Sequence, residues 1–340
     1  MTARRTPATY ALGAAVIVAL AATAVAFLLF ENEGPPARGE LVAYSCKEPQ
    51  NPWYAICTVR ADGTGRRQLT SGLATTDPAW SPDGRKIAFT RREDVGEYTT
   101  FSEDDVFVMD ADGSDVRQLT EEQENVHAGQ PAWSPDGREI VFTRGASVPS
   151  GIIVRPGEIH VMNADGSDVR RLTRGSLDGG PVWSPDGREV AFSRSKNFDD
   201  PSREIWVVAA AGGEPRQLTR TADFLDASPA WSPDGTLIAF MRLRVESQYD
   251  GAAAIWIMNR DGTGLREVLR HELFSFVTWQ VAWSPDGRTI AFETSPNRTC
   301  TAISLLDVAS GAVRPLTTCT RPGESALSPA WQPDTTTEAP

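Results

Sequence analysis

A five-residue phrase, Trp-Ser-Pro-Asp-Gly, returns along this chain at nearly even intervals. Its tryptophans are Trp80, Trp133, Trp183, Trp231, Trp283 and Trp331, spaced 53, 50, 48, 52 and 48 residues apart. The last copy reads Trp331-Gln332-Pro333-Asp334. Self-similarity on such a period marks a repeat architecture and constrains the fold more than any single residue does.

Every copy keeps one order of short apolar runs. Pro131-Ala132-Trp133 leads into the turn, and Glu139–Thr143 follows it. Glu158–Met162 then runs to an Asp-Gly pair, and Val169–Thr173 ends the unit. Such runs, rich in Val, Ile, Phe and Trp and bounded by turn residues, read as strands. No segment after residue 39 holds a 3.6-residue apolar period, so helix is not expected there. Pro82 presets φ at about −65°, Asp83 bonds back to the local backbone and Gly84 takes the left-handed conformation that closes the turn. The Asp-Gly pairs at 62–63, 112–113, 165–166 and 261–262 favour two-residue hairpins. Each unit is therefore expected to be a four-stranded meander.

Units of this kind cannot bury their faces alone. Six of them arranged radially make an all-β, six-bladed β-propeller over residues 40–334. The phase predicts how it closes. The first unit opens at Leu41-Val42-Ala43-Tyr44, the second strand of the pattern, whereas Pro329-Ala330-Trp331 is a first strand with no unit after it. The C-terminal strand is expected to complete the first blade.

These motifs resemble the repeats of the TolB-type propeller family, which also precede the catalytic domain of some serine peptidases. The resemblance covers about residues 40–334 and implies the fold far more than a function, since function sits in sites. Only 39 residues precede the first strand, so the α/β domain that precedes the propeller in TolB is expected to be missing. No Gly-x-Ser-x-Gly elbow occurs, so a peptidase domain is not expected either.

Residues 10–30 are an unbroken run of apolar and small residues, about 31 Å long as a helix at roughly 1.5 Å per residue, enough to cross a bilayer. Arg4 and Arg5 precede it and Glu31 and Glu33 follow it. The positive-inside bias places residues 1–9 in the cytoplasm and the propeller outside the bacterial cytoplasmic membrane. The other reading is a signal peptide cut near Ala24-Val25-Ala26. Residues 31–39 read as a short tether and residues 335–340 as a frayed tail.

Four cysteines fit an oxidising compartment. Cys46 ends one strand of unit one and Cys57 lies in the next, antiparallel to it. Cys300 precedes the third strand of unit six and Cys319 follows the fourth. Pairing within each unit is the easiest of the three possible arrangements; four buried thiols are the alternative. The formal charge of −12 argues against nucleic acid as a partner.

The longer connections share one face, where binding residues usually sit. They comprise 91–104, 144–157, 194–203 and 242–253 within units, and 121–130, 220–228 and 270–280 between them. Arg91, Arg144, Arg194 and Arg242 recur just after the second strand. They are candidates for holding a carboxylate or phosphate, or for pairing with acids such as Glu93, Asp94, Asp199 and Asp200. His127 and His271 fall in inter-unit loops and are candidates for ligand binding on the loop face, with a catalytic or metal-binding role and an ordinary polar surface position as the alternatives. His160 lies among apolar strand neighbours and reads as packing. No two histidines stand at metal-ligand spacing, so neither metal nor cofactor is expected. The acids around Asp112 and Asp165 misplace the glycine of a calcium loop and read as hairpin turns. Trp279, with Phe274 and Phe276, gives the 270–280 loop an aromatic cluster suited to a partner or to packing.

The leading functional expectation is a non-catalytic, monomeric, membrane-tethered scaffold that binds a protein or peptide on its loop face. The rivals are a lactone- or glycan-type hydrolase or lyase at the funnel, and a small-ligand sensor acting through a membrane partner.

Overall fold

The computed structural model describes residues 40–93, 103–121, 126–146, 157–175, 177–196, 202–221, 223–244, 253–271, 280–295 and 299–335. All lie in the unit Arg38–Pro340. The expected span at 10–30 falls outside the described residues, and no helix among them is long and apolar enough to cross a membrane.

Among these residues the chain forms 24 strands in five sheets, four of four strands and one of eight, which divide by the repeat into six four-stranded groups, here called blades. Blade one holds β1 (Leu41–Lys47), β2 (Ala55–Arg60) and β3 (Arg67–Gln68). Blade two holds β4 (Thr75–Trp80), β5 (Lys86–Glu93), β6 (Glu103–Asp110) and β7 (Arg117–Gln118). Blade three holds β8 (Val126–Trp133), β9 (Glu139–Ala146), β10 (Glu158–Asn163) and β11 (Arg170–Arg171). Blade four holds β12 (Asp178–Trp183), β13 (Glu189–Ser195), β14 (Arg203–Ala209) and β15 (Arg216–Gln217). Blade five holds β16 (Phe224–Trp231), β17 (Leu237–Arg244), β18 (Ala253–Asn259) and β19 (Arg266–His271). Blade six holds β20 (Val281–Trp283), β21 (Thr289–Thr294), β22 (Ala302–Asp307) and β23 (Val313–Pro315). The last strand, β24 (Ser325–Trp331), pairs antiparallel with β1 through Val42↔Trp331 and Cys46↔Ala326 and completes blade one.

The middle strands are buried on both faces because each blade is packed between neighbours. β2 and β22 read as nearly continuous apolar runs for this reason. Tyr44, Phe89, Phe142, Phe192, Phe240 and Phe292 stand at one position of the repeat, each no more than 1% exposed.

The Ser-x-Asp-Gly turn is held by its own side chains. Ser81 Oγ donates to Asp83 Oδ1 at 2.6 Å, and Asp83 Oδ1 accepts the Arg85 N–H at 3.0 Å. Gly137 is required twice over at its turn. Its φ is +70°, and an added Cβ would lie 3.2 Å from Pro82 Cγ in the neighbouring blade. The turns of successive blades thus pack against one another. Gln332, standing where other copies have Ser, donates from Nε2 to the Gly84 carbonyl at 3.2 Å and continues the series from the C-terminus to blade two.

Two further sets of contacts link the blades. Arg67, Arg117, Arg170 and Arg216 donate to the backbone carbonyls of Asp112, Asp165, Ala210 and Asp261, each in the following blade. Arg314 of blade six donates likewise to Ala61 of blade one at 2.9 Å, 253 residues away. Nearer the inner strands, a register shift interrupts the pairing of β4, β8, β12 and β16 with their neighbours. Asp77, Gln130 and Ser228 take φ of 53–55° at these bulges. Their N–H groups donate to Ser45 Oγ, Thr90 Oγ1 and Ser193 Oγ of the preceding blade. The Ser328 N–H on β24 donates to Glu293 Oε1 at 2.7 Å in the same sense, from blade one back to blade six. The left-handed residues are thus part of the repeat's bonding scheme, and the backbone cost is offset by an inter-blade hydrogen bond.

Disulfides join Cys46 to Cys57 and Cys300 to Cys319, with Cα–Cα separations of 5.8 and 6.0 Å. Local loops of this kind contribute about 2–4 kcal/mol each.

The strands run further than the sequence pattern suggested. Arg91, Arg144, Arg194 and Arg242 lie inside β5, β9, β13 and β17 rather than beyond them. His127 is the second residue of β8 and is 2% exposed, which corrects its placement in an inter-unit loop. His271 is the final residue of β19, not part of a loop. For His127 the cause is the bulge between Gly129 and Ala132, which lets β8 begin at Val126 and pair His127 with Gly145.

Candidate functional site

The four arginines share one place in the repeat, two residues after the buried aromatic. The side chain diagonally across on the next strand is Phe107, His160, Trp206 or Trp256. Blade five shows the arrangement most fully. Arg242 Nε and Nη2 donate to Asp226 Oδ1 and Oδ2 at 2.6 and 2.7 Å. The guanidinium carbon lies 4.8 Å from the Trp256 ring centroid and 5.4 Å from that of Phe240. Both partners are buried, with side-chain exposures of 6% and 0%. Blade four repeats this with Arg194 on Asp178 at 2.6 and 2.8 Å, and the guanidinium 5.1 Å from the Trp206 centroid. Burial pushes the Asp178 carboxyl above its ordinary range, outweighing the hydrogen bonds and charge of Arg194 and the Thr173 hydroxyl, which pull it down.

Arg91 stacks over Phe107 with its carbon 4.5 Å from the centroid. Arg144 is half-buried, opposite Glu158 and Ala128. His160 packs on Phe142 at 5.9 Å; burial, aided by the nearby Arg144 charge, holds its imidazole below the usual range despite the Glu158 carbonyl.

Arg194 and Arg242 are thus committed to internal carboxylates. Those carboxylates are Asp178 and Asp226, on the first strand of the same blade; the loop acids Asp199 and Asp200 lie outside the described residues. Sequence reasoning missed both acids. The signal was present: each lies five residues before a repeat tryptophan, where other units have Thr75, Ala128 or Ala326. The His271 side chain, Phe274, Phe276 and Trp279 lie outside the described residues. The acids at 112 and 165 cap hairpins: Asp112 Oδ1 accepts the Ser114 N–H at 2.9 Å, and Asp165 Oδ1 accepts that of Ser167 at 2.9 Å. Among the described residues no group of His, Cys, Asp and Glu is arranged to hold a metal ion.

A second polar assembly lies where blades one and six meet. A cleft there is lined by Tyr44, Lys47, Glu48, Arg66, Arg321 and Glu324, among others. Arg66 Nε donates to Tyr44 Oη at 3.1 Å. Glu48 bridges two guanidiniums, accepting from Arg66 Nη2 at 2.7 Å and Arg321 Nη2 at 2.8 Å. Burial raises the Tyr44 phenol above its ordinary value, against the pull of Arg66, so the hydroxyl stays protonated at neutral pH. Burial also acts to raise Glu324, but the N–H groups of Arg321 and Thr320 and the Arg321 guanidinium overcome it and bring its pKa to about 2.

Residues 176–337 match the TolB beta propeller domain, PD40. The TolB-type match thus covers blades four to six and the closing strand, and the same motifs recur in blades one to three. The crystal structure of TolB from Acinetobacter baumannii superposes with a TM-score of 0.68 at 21% identity, covering 97% of this chain and 74% of that one. At that identity the likeness is one of fold. An uncharacterized peptidase of Bacillus subtilis, YuxL, is 38% identical over 71 residues, 20% of this chain and 9% of that protein. The Tol-Pal system protein TolB of Alcanivorax borkumensis is 36% identical over 92 residues, 24% of this chain and 18% of that protein. This chain therefore matches less than a fifth of the length of either relative.

Proposed function

We propose that this protein is a non-catalytic binding scaffold, closed as a six-bladed propeller. Residues 10–30 hold it on the outer side of the cytoplasmic membrane, and it receives a protein or peptide on its loop face. The observation that carries the reading is the use the repeat makes of its charge. Arg67, Arg117, Arg170, Arg216 and Arg314 hold blade to blade, and Arg194 and Arg242 are engaged within blades. Chemical variation is left to the longer connections, as in scaffolds that bind through loops. The two disulfides support an oxidising compartment.

Site-specific photocrosslinking in cells tests the binding face. Trp53, 37% exposed in the β1–β2 connection, should yield a discrete crosslinked partner, whereas Val169 and Leu265 beside the hairpin turns should not. Crosslinks from the turn side alone would overturn the assignment. Turnover of a small substrate by the purified chain, lost on changing a loop residue, would overturn the non-catalytic reading. An alkaline phosphatase fused after residue 335 should be active, and an inactive fusion would place the fold on the wrong side.

A further inference from the structure

The internal repeat supplies a standard against which each blade can be compared, and blade one departs from it at two positions that touch. The buried aromatic is Phe in five blades and Tyr44 in blade one. The residue before the outermost-strand arginine is Val116, Val169, Pro215, Leu265 or Val313 elsewhere, and Arg66 in blade one. The two substitutions meet in one hydrogen bond, Arg66 Nε to Tyr44 Oη. The Tyr44 ring packs in the core as the phenyl rings do, but its hydroxyl and the Arg66 guanidinium add polar groups where the other blades have none. A buried phenol needs a partner that the phenyl ring of other blades does not, and an arginine replaces an apolar or proline residue. Both line the cleft against blade six.

The cleft is also set apart by its charge. Lys47, Arg66 and Arg321 stand against Glu48 and Glu324 there, a local excess of cation in a chain whose formal charge is −12. Arg66 directs one donor at Tyr44 and one at Glu48, which leaves further N–H groups of its five-donor fork. Glu324 is saturated by the Thr320 and Arg321 N–H groups at 2.7 and 2.9 Å and by the Arg321 guanidinium. Glu48 is held differently. It comes from the β1–β2 connection, its side chain is 31% exposed, and its hydrogen bonds here are to the two guanidiniums. A carboxylate suspended between two arginines from different blades shows what this place accepts. The remaining wall carries threonine and serine hydroxyls.

We propose that this cleft is a binding site for a small hydroxylated carboxylate. Its carboxylate is taken by Arg66 and Arg321, with Glu48 as the internal group it displaces and Tyr44 fixing the plane of Arg66. The site does not depend on the loop-face reading above.

Titration calorimetry on the full chain in detergent tests this. The probes are gluconate, sorbitol as its uncharged counterpart and inorganic phosphate as a different anion. Gluconate should bind at one site, sorbitol should not, and phosphate should bind about tenfold more weakly. Glu48→Ala should tighten gluconate binding by removing the competitor, an effect that a merely structural salt bridge would not produce. The double variant Tyr44→Phe with Arg66→Val restores the pair used in other blades; it should keep its melting temperature and weaken gluconate by about tenfold or more. Absence of gluconate binding in both the wild type and Glu48→Ala would overturn the proposal. So would undiminished binding in the double variant. Equal affinity for phosphate would reduce the site to a general anion patch.

Discussion

Cys46 and Cys57 are bonded across the same diagonal of blade one that places Arg242 over Trp256 in blade five. In blade six the diagonal is Thr294 and Ser304, whose hydroxyls lie 3.2 Å apart. One geometric slot, two residues beyond the buried aromatic, is thus filled by a covalent bond, a cation over an aromatic ring, or a hydrogen bond. What fills it decides how the loop end of each blade is stabilised.

The Arg242–Asp226 pair is buried, so removing one partner leaves the other charged and unmatched. Asp226→Ala should cost about 3–5 kcal/mol in urea unfolding. Replacing both, as Asp226→Leu with Arg242→Met, should recover most of that loss, because the apolar pair has no charge to desolvate.

The Cys46–Cys57 loop closes 11 residues and the Cys300–Cys319 loop 19. Changing either pair to serine should lower stability by about 2–4 kcal/mol. Reductant should lower the melting temperature of the wild type and leave a four-serine variant unmoved.

Closure between the chain ends rests on β24. Deleting residues 325–340 would bare the β1 edge and remove the Gln332–Gly84 and Ser328–Glu293 bonds together. The deleted chain should lose its cooperative melt or aggregate through the exposed edge. Arg314→Ala removes a single inter-blade bond and should cost only about 1 kcal/mol.

Glu324 is depressed from its ordinary 4.5 to about 2 in the folded protein. A depressed carboxyl stabilises the fold above the unfolded pKa, and that contribution disappears as pH falls through the folded value. The wild type should therefore lose stability relative to Glu324→Gln between pH 4.5 and 2, and the two melting curves should run parallel above that window.

Gly262 and Gly212 occupy matching hairpins with φ near +90°. Alanine is strained at either, but at Gly262 the new Cβ would also sit 2.8 Å from the Leu218 carbonyl, whereas Gly212 faces open space. Gly262→Ala should be the more destabilising of the two by thermal melting, and equal losses would show that the neighbouring blade gives way freely.

Much of the architecture was written locally. Pro82-Asp83-Gly84 and its copies encode their turn by side-chain chemistry within a few residues. The alternation around Phe142 or Phe240 encodes a buried strand, and the start at Leu41 and end at Trp331 encode the completion of blade one. The candidate site was less legible. Arg194 and Arg242 were recognised as recurrent, but their partners lie 16 residues back, across a bulge that shifts the pairing register. His127 read as a loop residue for the same reason, since a strand that continues through a bulge has no period-two signature there.

The sequence by itself determined the strand order and the repeat count, because these follow from hydrophobic spacing over a few residues. The Asp-Gly hairpins, expected to have two loop residues, have three, with the Arg60 N–H donating to the Thr64 carbonyl and Gly63 alone of the pair at positive φ. Only the tertiary structure decided which charges are consumed and which are gathered. Asp226 meets Arg242, and Glu48 meets both Arg66 and Arg321, through register and blade packing. Side chains up to 273 residues apart become neighbours there, and a burial-dependent electrostatic pairing has no local signature in the chain.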